Sequence, residues 1–419
     1  MTKTVVIVGA LDTKGLEFAF VKQLIEDHGL STCVVDFGVL GDPPFKPDIH
    51  NSDIARAGGG DLSLLRDLKD KAESMKVMSA GLTAIVMDLH AKGRLQGILG
   101  MGGTGGTAVA TAAMRVLPVG VPKVMVSTVG GGNVSAYVGS RDITMIPSVV
   151  DVAGINRISR LIYANAAGAI SGMVKTEVAS PDREPSLVAA SMFGNTTQCV
   201  DRCRGLLEQH GFEVLVFHAT GSGGTTMKSL VEDGLVNAIL DLTTTELADE
   251  VCGGVFSAGA DRVQIGRSRN VPMVLAPGCV DMCNFWARAT VPLEYQGRNF
   301  YEWNPNVTLM RTNVRENMLI GEMLATTANN AAGPVTVLIP LKGVSMLDSP
   351  GGAFWDPEAD SSCFSAIKKN LRQDIQLIEI DANINDAEFA DRAAEVLLRM
   401  MNCLGGPTEC LPEQNVSGD

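Results

Sequence analysis

The chain has 419 residues, 46% of them hydrophobic and 5% aromatic, with 45 glycines and a formal net charge of −13. That charge repels a phosphate backbone and no lysine/arginine cluster offsets it, which speaks against a nucleic-acid binder; apolar runs broken by glycine, proline or charge speak against a membrane span. Nine cysteines, an odd number, and an N-terminus that enters a strand directly fit a cytoplasmic protein better than a secreted, disulfide-framed one.

In chain order, residues 5–10 (VVIVGA) read as a buried strand, 13–28 as a helix closed by Gly29, and 33–37 as a second strand. The turn Gly9-Ala10-Leu11-Asp12-Thr13-Lys14-Gly15 puts polar residues just beyond a strand, where doubly wound sheets bind ligands. Asp12 and Thr13 are candidates either to cap the helix or to hold phosphate, and Lys14 is a candidate cation. Strand 95–99 then leads into Gly100-Met101-Gly102-Gly103-Thr104-Gly105-Gly106-Thr107 and an alanine-rich helical pattern. Such a loop turns backbone N–H groups toward an oxyanion at the positive end of a helix. It reads like a phosphate-binding loop without its lysine, because position 106 is glycine; binding is therefore better supported than hydrolysis. The competing reading gives these glycines to tight strand-to-helix packing alone. A third loop, Thr128-Val129-Gly130-Gly131-Gly132-Asn133, follows strand 123–127 and adds Asn133 as a ligand candidate. Arg141, Asp142, Asp151, Asn156 and Arg157 punctuate the apolar segment after it, the arginines suiting phosphate or salt bridges equally.

Residues 176–186, with Pro181 and Pro185, form the clearest linker. Beyond it the pattern repeats: strand 187–192, helix 196–210 ending at His210-Gly211, and strand 213–217 match the opening of the chain, and Gly221-Ser222-Gly223-Gly224-Thr225 echoes Gly103–Thr107. The expected fold is α/β, internally duplicated: two Rossmann-like, doubly wound domains with mostly parallel sheets, over residues 1–180 and 186–404, with a flexible tail at 405–419. In the second domain His218, Glu246 and Asp281 follow three strands whose ends are expected to share one crevice. His218 is a candidate general base or metal ligand, and Glu246 and Asp281 are candidate acid–base groups or magnesium ligands. Cys279 is a nucleophile only with a lowered pKa. Lys342, Gly343 and residues 348–352 add a cation and a loop able to close over a substrate. The four-residue spacings of Cys199 with Cys203 and of Cys279 with Cys283 lack matching histidines, so no metal site is read from them; Cys199 and Cys203 fit one helix face.

The segments GALDTKGLEF, GMGGTGGTAVATAAM and VSTVGGGNVSAYVGSRDITMIPSVVDVAGINRISRLIYANAAGAI resemble the tomato-mosaic-resistance-protein-like ATP-binding family. So do SMFGNTTQCV, APGCVDMCNFW and PLKGVSMLDSPGGAFWDP in the second half, so the likeness spans essentially the whole chain. The resemblance implies an ATP-binding N-terminal domain, a second Rossmann-like domain and a homodimer; the glycine loops by themselves indicate an anion. The leading expectation is an ATP-binding protein, with or without magnesium, whose loops Gly102–Thr107 and Gly131–Asn133, with Gly9, Asp12, Thr13 and Lys14, hold the triphosphate. Catalysis on a small anionic metabolite stays open. Two alternatives stand beside it: a nucleotide sensor without turnover, and a nucleotide-independent lyase or hydrolase acting through His218, Glu246 and Asp281.

Overall fold

The computed structural model describes residues 2–178 and 184–404. The chain divides into two units, 1–180 and 181–419. The middle of the expected linker and the expected tail at 405–419 lie outside the described residues.

In the first unit β1 (Thr4–Gly9), α1 (Leu11–Asp27), β2 (Ser31–Asp36), α2 (Asn51–Ala57), α3 (Leu62–Leu68), α4 (Lys71–Ala91), β3 (Gly97–Gly102), α5 (Thr104–Arg115), β4 (Lys123–Ser127), α6 (Ser135–Val138), β5 (Thr144–Pro147) and α7 (Ser159–Lys175) follow one another. The strands pair in parallel in the order β2-β1-β3-β4-β5. Alternation along β1 divides the core: Val6 and Val8 pack with residues of α2, α4 and α5, whereas Val5 and Ile7 pack with residues of α1 and α7. Because both faces are covered, β1 and β3 read as unbroken apolar or small-residue runs, as does β4 after Lys123.

The second unit comprises β6 (Leu187–Met192), α8 (Thr197–Gln209), β7 (Glu213–His218), α9 (Ser222–Glu232), β8 (Ala238–Thr243), α10 (Thr245–Cys252), β9 (Met273–Gly278), β10 (Met282–Phe285), β11 (Phe300–Asn304), β12 (Val307–Arg311), α11 (Val314–Asn330), β13 (Val335–Pro340), α12 (Pro357–Asn370), β14 (Gln376–Ile380) and α13 (Ala387–Leu404). Its parallel sheet runs β14-β13-β9-β8-β6-β7, and β10-β12-β11 form a small antiparallel sheet that the sequence reading missed. Cys199 and Cys203 do share a buried face of α8.

Each parallel sheet places its second strand outside its first and its third on the other side, so the duplication holds for strand order. It does not hold for the glycine loops. Gly103–Thr107 follows β3, the third strand of its unit, whereas Gly221–Thr225 follows β7, the second and outermost strand of its own. The counterpart of the first loop is the Thr243–Glu246 turn after β8. Gly100 and Gly102 also belong to strand β3 rather than to a loop: an added Cβ on Gly100 would meet Ala110 Cβ at 3.0 Å, and one on Gly102 would meet Gly106 Cα at 3.2 Å.

Candidate functional site

In the first sheet the chain leaves β1 toward β2 on one side and returns to β3 on the other, so a crevice opens at the strands' carboxyl ends. A cavity of about 610 Å³ lies there, with Ala10, Asp12 and Thr13 after β1, Phe37 to Leu40 after β2, and Gly105, Gly106 and Val109 of α5 in its walls. Leu65, Arg66, Lys69 and the start of α4, through Ser74, Met75 and Met78, close the remaining side. The lining is apolar in its depth (Phe37, Leu65, Met78) and cationic at Arg66, Lys69 and Lys71.

Helix α5 begins after Gly103, which is extended (φ −77°, ψ −167°) and gives no side-chain cap. The N–H groups of Thr104, Gly105 and Gly106 therefore have no partner within the helix. The next turn is closed from inside: buried Thr107 donates through Oγ1 to the Gly103 carbonyl at 2.9 Å and lies 2.7 Å from Ser127 Oγ. The Thr107 hydroxyl, one of the ligand candidates, is thus engaged within the fold. Glycine is not required by packing at the other positions. An added Cβ would find nothing nearer than Thr128 Oγ1 at 3.8 Å for Gly103, Met75 Sδ at 3.6 Å for Gly105 and Met101 O at 3.8 Å for Gly106. Close packing, the competing explanation, fails for these three and holds for Gly9, where the Cβ would enter the Phe18 ring at 2.0 Å.

The other candidates of the first unit divide. Asp12 does not cap α1: the N-cap is Ala10 without a side-chain bond, and Asp12 Oδ2 instead accepts from the N–H groups of Leu40 (2.6 Å) and Gly41 (3.3 Å). Arg66 grips the same loop, donating to the carbonyls of Val39 (3.0 Å) and Gly41 (2.7 Å). Asp12 Oδ1 is buried without a partner beside the cavity. Thr13 is exposed on the cavity wall. Lys14 sits at a break in α1 (φ −134°, ψ 22°) and its ammonium donates to the Val152 carbonyl, so it is not the free cation that the sequence suggested. Gly131, Gly132 and Asn133 lie outside the cavity lining; Asn133 Oδ1 accepts from Ser135 N and Oγ, and the loop joins the site indirectly, through Thr128 N donating to Gly102 O. Arg141 and Asp142 have structural partners, the Arg115 carbonyl and Lys123.

Asp36, overlooked in the sequence, ends β2 and accepts through Oδ1 from Leu11 N (3.0 Å) and Gly38 N (2.8 Å), joining the start of α1 to the β2 loop. Burial raises its pKa against those two bonds. Its position, an acid at the end of the second strand, was the available signal. The α3–α4 wall carried a weaker one, the helix-capping residues Asp61 and Asp70.

In the second unit the three expected catalytic residues occupy separate surroundings. His218 is exposed at the end of the outermost strand. Glu246 is fully buried: Oε1 accepts from Gly221 N (2.8 Å) and Gly224 N (2.9 Å), and Oε2 pairs with Arg262 Nε at 2.8 Å. Arg262 also forms a two-bond pair with Asp241, at 2.7 and 2.8 Å. Burial opposes its charge, but Asp241 and Glu246 outweigh it and hold its pKa above the ordinary arginine value. The second glycine loop is therefore an oxyanion cradle whose anion comes from the chain itself, with both oxygens of the Glu246 carboxylate held by structural partners. Asp281 is buried beside Ser345, which donates to its Oδ2 at 2.8 Å. Burial and nearby Asp348 push its pKa up to about 7 against the pull of Arg311. Cys279 is buried with φ 58°, and burial followed by Asp281 raises its pKa, opposite to what a nucleophile needs. The 341–356 segment is fastened rather than free: Asn383 Nδ2 donates to the carbonyls of Lys342, Ser345 and Asp348.

Fold and site together define a tandem α/β protein with two doubly wound sheets, one opening a glycine-floored crevice at its switch point and the other filling its own glycine cradle. The chain belongs to the uncharacterised protein family UPF0261, whose N-terminal domain matches residues 3–179 and whose C-terminal domain matches residues 185–401. It is 46% identical to a UPF0261 protein of Clostridium tetani over 96% of this chain and all of that one, and 41% identical to one of Mesorhizobium japonicum over 94% and 98%. The ToMV resistance protein Tm-1(GCR237) of Solanum lycopersicum is 39% identical over 82% of this chain and 46% of its own length. No helix among the described residues is long and apolar enough to cross a membrane.

Proposed function

We propose that the first unit binds ATP or a closely similar nucleotide polyphosphate, with or without magnesium, in the crevice between β1 and β3. The observation that supports this reading is the floor of the cavity: Gly105 and Gly106 line it in the first turn of a helix, where N–H groups lack a partner within the helix, and the fold itself does not need glycine there. The apolar pocket of Phe37, Leu65 and Met78 suits a planar base, and the helix start suits the phosphates. Turnover on a small anionic metabolite, assembly as a homodimer and residence in the cytoplasm belong to the same proposal. Phosphate release, light scattering and cell fractionation test them separately.

Calorimetry with ATP, with and without magnesium, is the direct test. Gly105→Val is expected to fold, because its Cβ has room, and to bind ATP about 100-fold more weakly, because its methyls occupy the crevice and block hydrogen bonds to a charged ligand. Unchanged affinity in a folded variant would overturn the assignment.

A further inference from the structure

We propose that Lys69 and Lys71 are the cations that neutralise the ligand's phosphates, taking the part of the lysine that position 106 lacks and making the crevice selective for polyphosphates. The inference rests on the nucleotide reading above. Both residues line the cavity together with Gly105 and Gly106. Neither has a hydrogen-bond or ion-pair partner among the described residues, in contrast to the polar residues around them. Arg66 is committed to the carbonyls of Val39 and Gly41, Asp70 caps α4 by accepting from Ala72 N and Glu73 N, and Lys14 is held on the Val152 carbonyl.

Both lysines also stand where local physical chemistry disfavours a lysine. Lys69 ends α3 in the left-handed conformation (φ 50°, ψ 24°), a position that glycine fills without strain. Lys71 is the first residue of the 21-residue helix α4, so its charge sits at the positive end of that helix's dipole. One misplaced lysine is unremarkable. Two in three residues, both unpaired and both lining the same cavity, fit a site in which stability is given up for charge.

Charge of the ligand then sets the size of the effect. The lysines contribute most to ATP, less to ADP and AMP, and nothing to adenosine, whereas the apolar pocket contributes to all four.

The test measures calorimetric affinities for ATP, ADP, AMP and adenosine, together with thermal unfolding, for the wild-type protein, Lys69→Gly, Lys71→Ala and the double variant. Each single variant is expected to bind ATP about tenfold more weakly, with the loss shrinking as phosphates are removed and absent for adenosine. Their melting temperatures should stay level or rise, because each change relieves an unfavourable placement. Equal ATP affinity in wild type and both single variants would overturn the lysine assignment and leave the nucleotide reading intact. An equal loss for ATP and adenosine would also overturn it, as it would mark a damaged wall rather than a missing charge. No binding of any of the four by the wild-type protein would remove the nucleotide reading itself, and the lysine assignment with it.

Discussion

Replacing Glu246 with alanine is expected to lower the stability of the second unit by about 3–5 kcal/mol, the cost of leaving a buried charge without its partner. Glu246 faces three donors at once: Gly221 N, Gly224 N and Arg262 Nε. Its loss leaves two N–H groups unsatisfied at the start of α9 and a buried guanidinium with Asp241 as its remaining carboxylate partner. Glu246→Gln should be milder, since an amide oxygen can still accept from the loop while the charge is gone. Gly224→Ala should disturb the same node from the other side, because its Cβ would lie 2.0 Å from Glu246 Oε2. Denaturant unfolding followed by the fluorescence of Trp286, Trp303 and Trp355, all in this unit, measures each cost. A loss below about 1 kcal/mol for the alanine variant, the scale of an exposed ion pair, would contradict the structural role assigned here.

The second large effect concerns pH. Burial pushes Asp249 up to about 7, Asp281 up to about 7 and Asp360 up to about 8, from an ordinary 3.8. A carboxyl whose folded pKa is raised keeps a proton that the unfolded chain has already released, so the folded state binds more protons between about pH 4 and 8. Stability is therefore complete at the acid end of that window and falls as pH rises through it, by up to about 1.4 kcal/mol per pH unit for each proton held. Asp281 and Asp360 both interact with Asp348 and Arg311, so they titrate as a group rather than one by one. The second unit should melt at a higher temperature at pH 5.5 than at pH 8.5. Asp360→Asn should flatten the dependence: the amide can still accept from Arg311, which reaches Asp360 Oδ1 at 2.6 Å, and needs no proton to stay neutral. Melting that is level or rises over that interval would refute the prediction.

The fold was legible where its physics is local. Apolar runs such as 5–8 and 124–126 announce strands covered on both faces, and His28-Gly29 and His210-Gly211 mark helix ends because Gly29 and Gly211 adopt positive φ. The floor of the crevice was legible for the same reason, as glycines before a helix have a short list of uses. Side-chain commitments were not. Lys14 and Glu246 are engaged by residues 138 and 22–25 positions away, a pairing that no local pattern encodes. The α3–α4 wall was missed because Lys69 and Lys71 read as ordinary surface lysines in the sequence; neither the left-handed turn at Lys69 nor the cavity that both line is written in a local pattern. The repeat between the halves misled in one respect: similar glycine strings lie after different strands, and only strand order separates them.

The cradle closed by Glu246 bears on stoichiometry. A phosphate arriving at the start of α9 would have to displace a carboxylate already held by two backbone N–H groups and a guanidinium, with no gain in charge pairing for the exchange. If the first unit holds a phosphate-bearing ligand as proposed, binding at the helix starts of α5 and α9 should therefore saturate at one equivalent per chain.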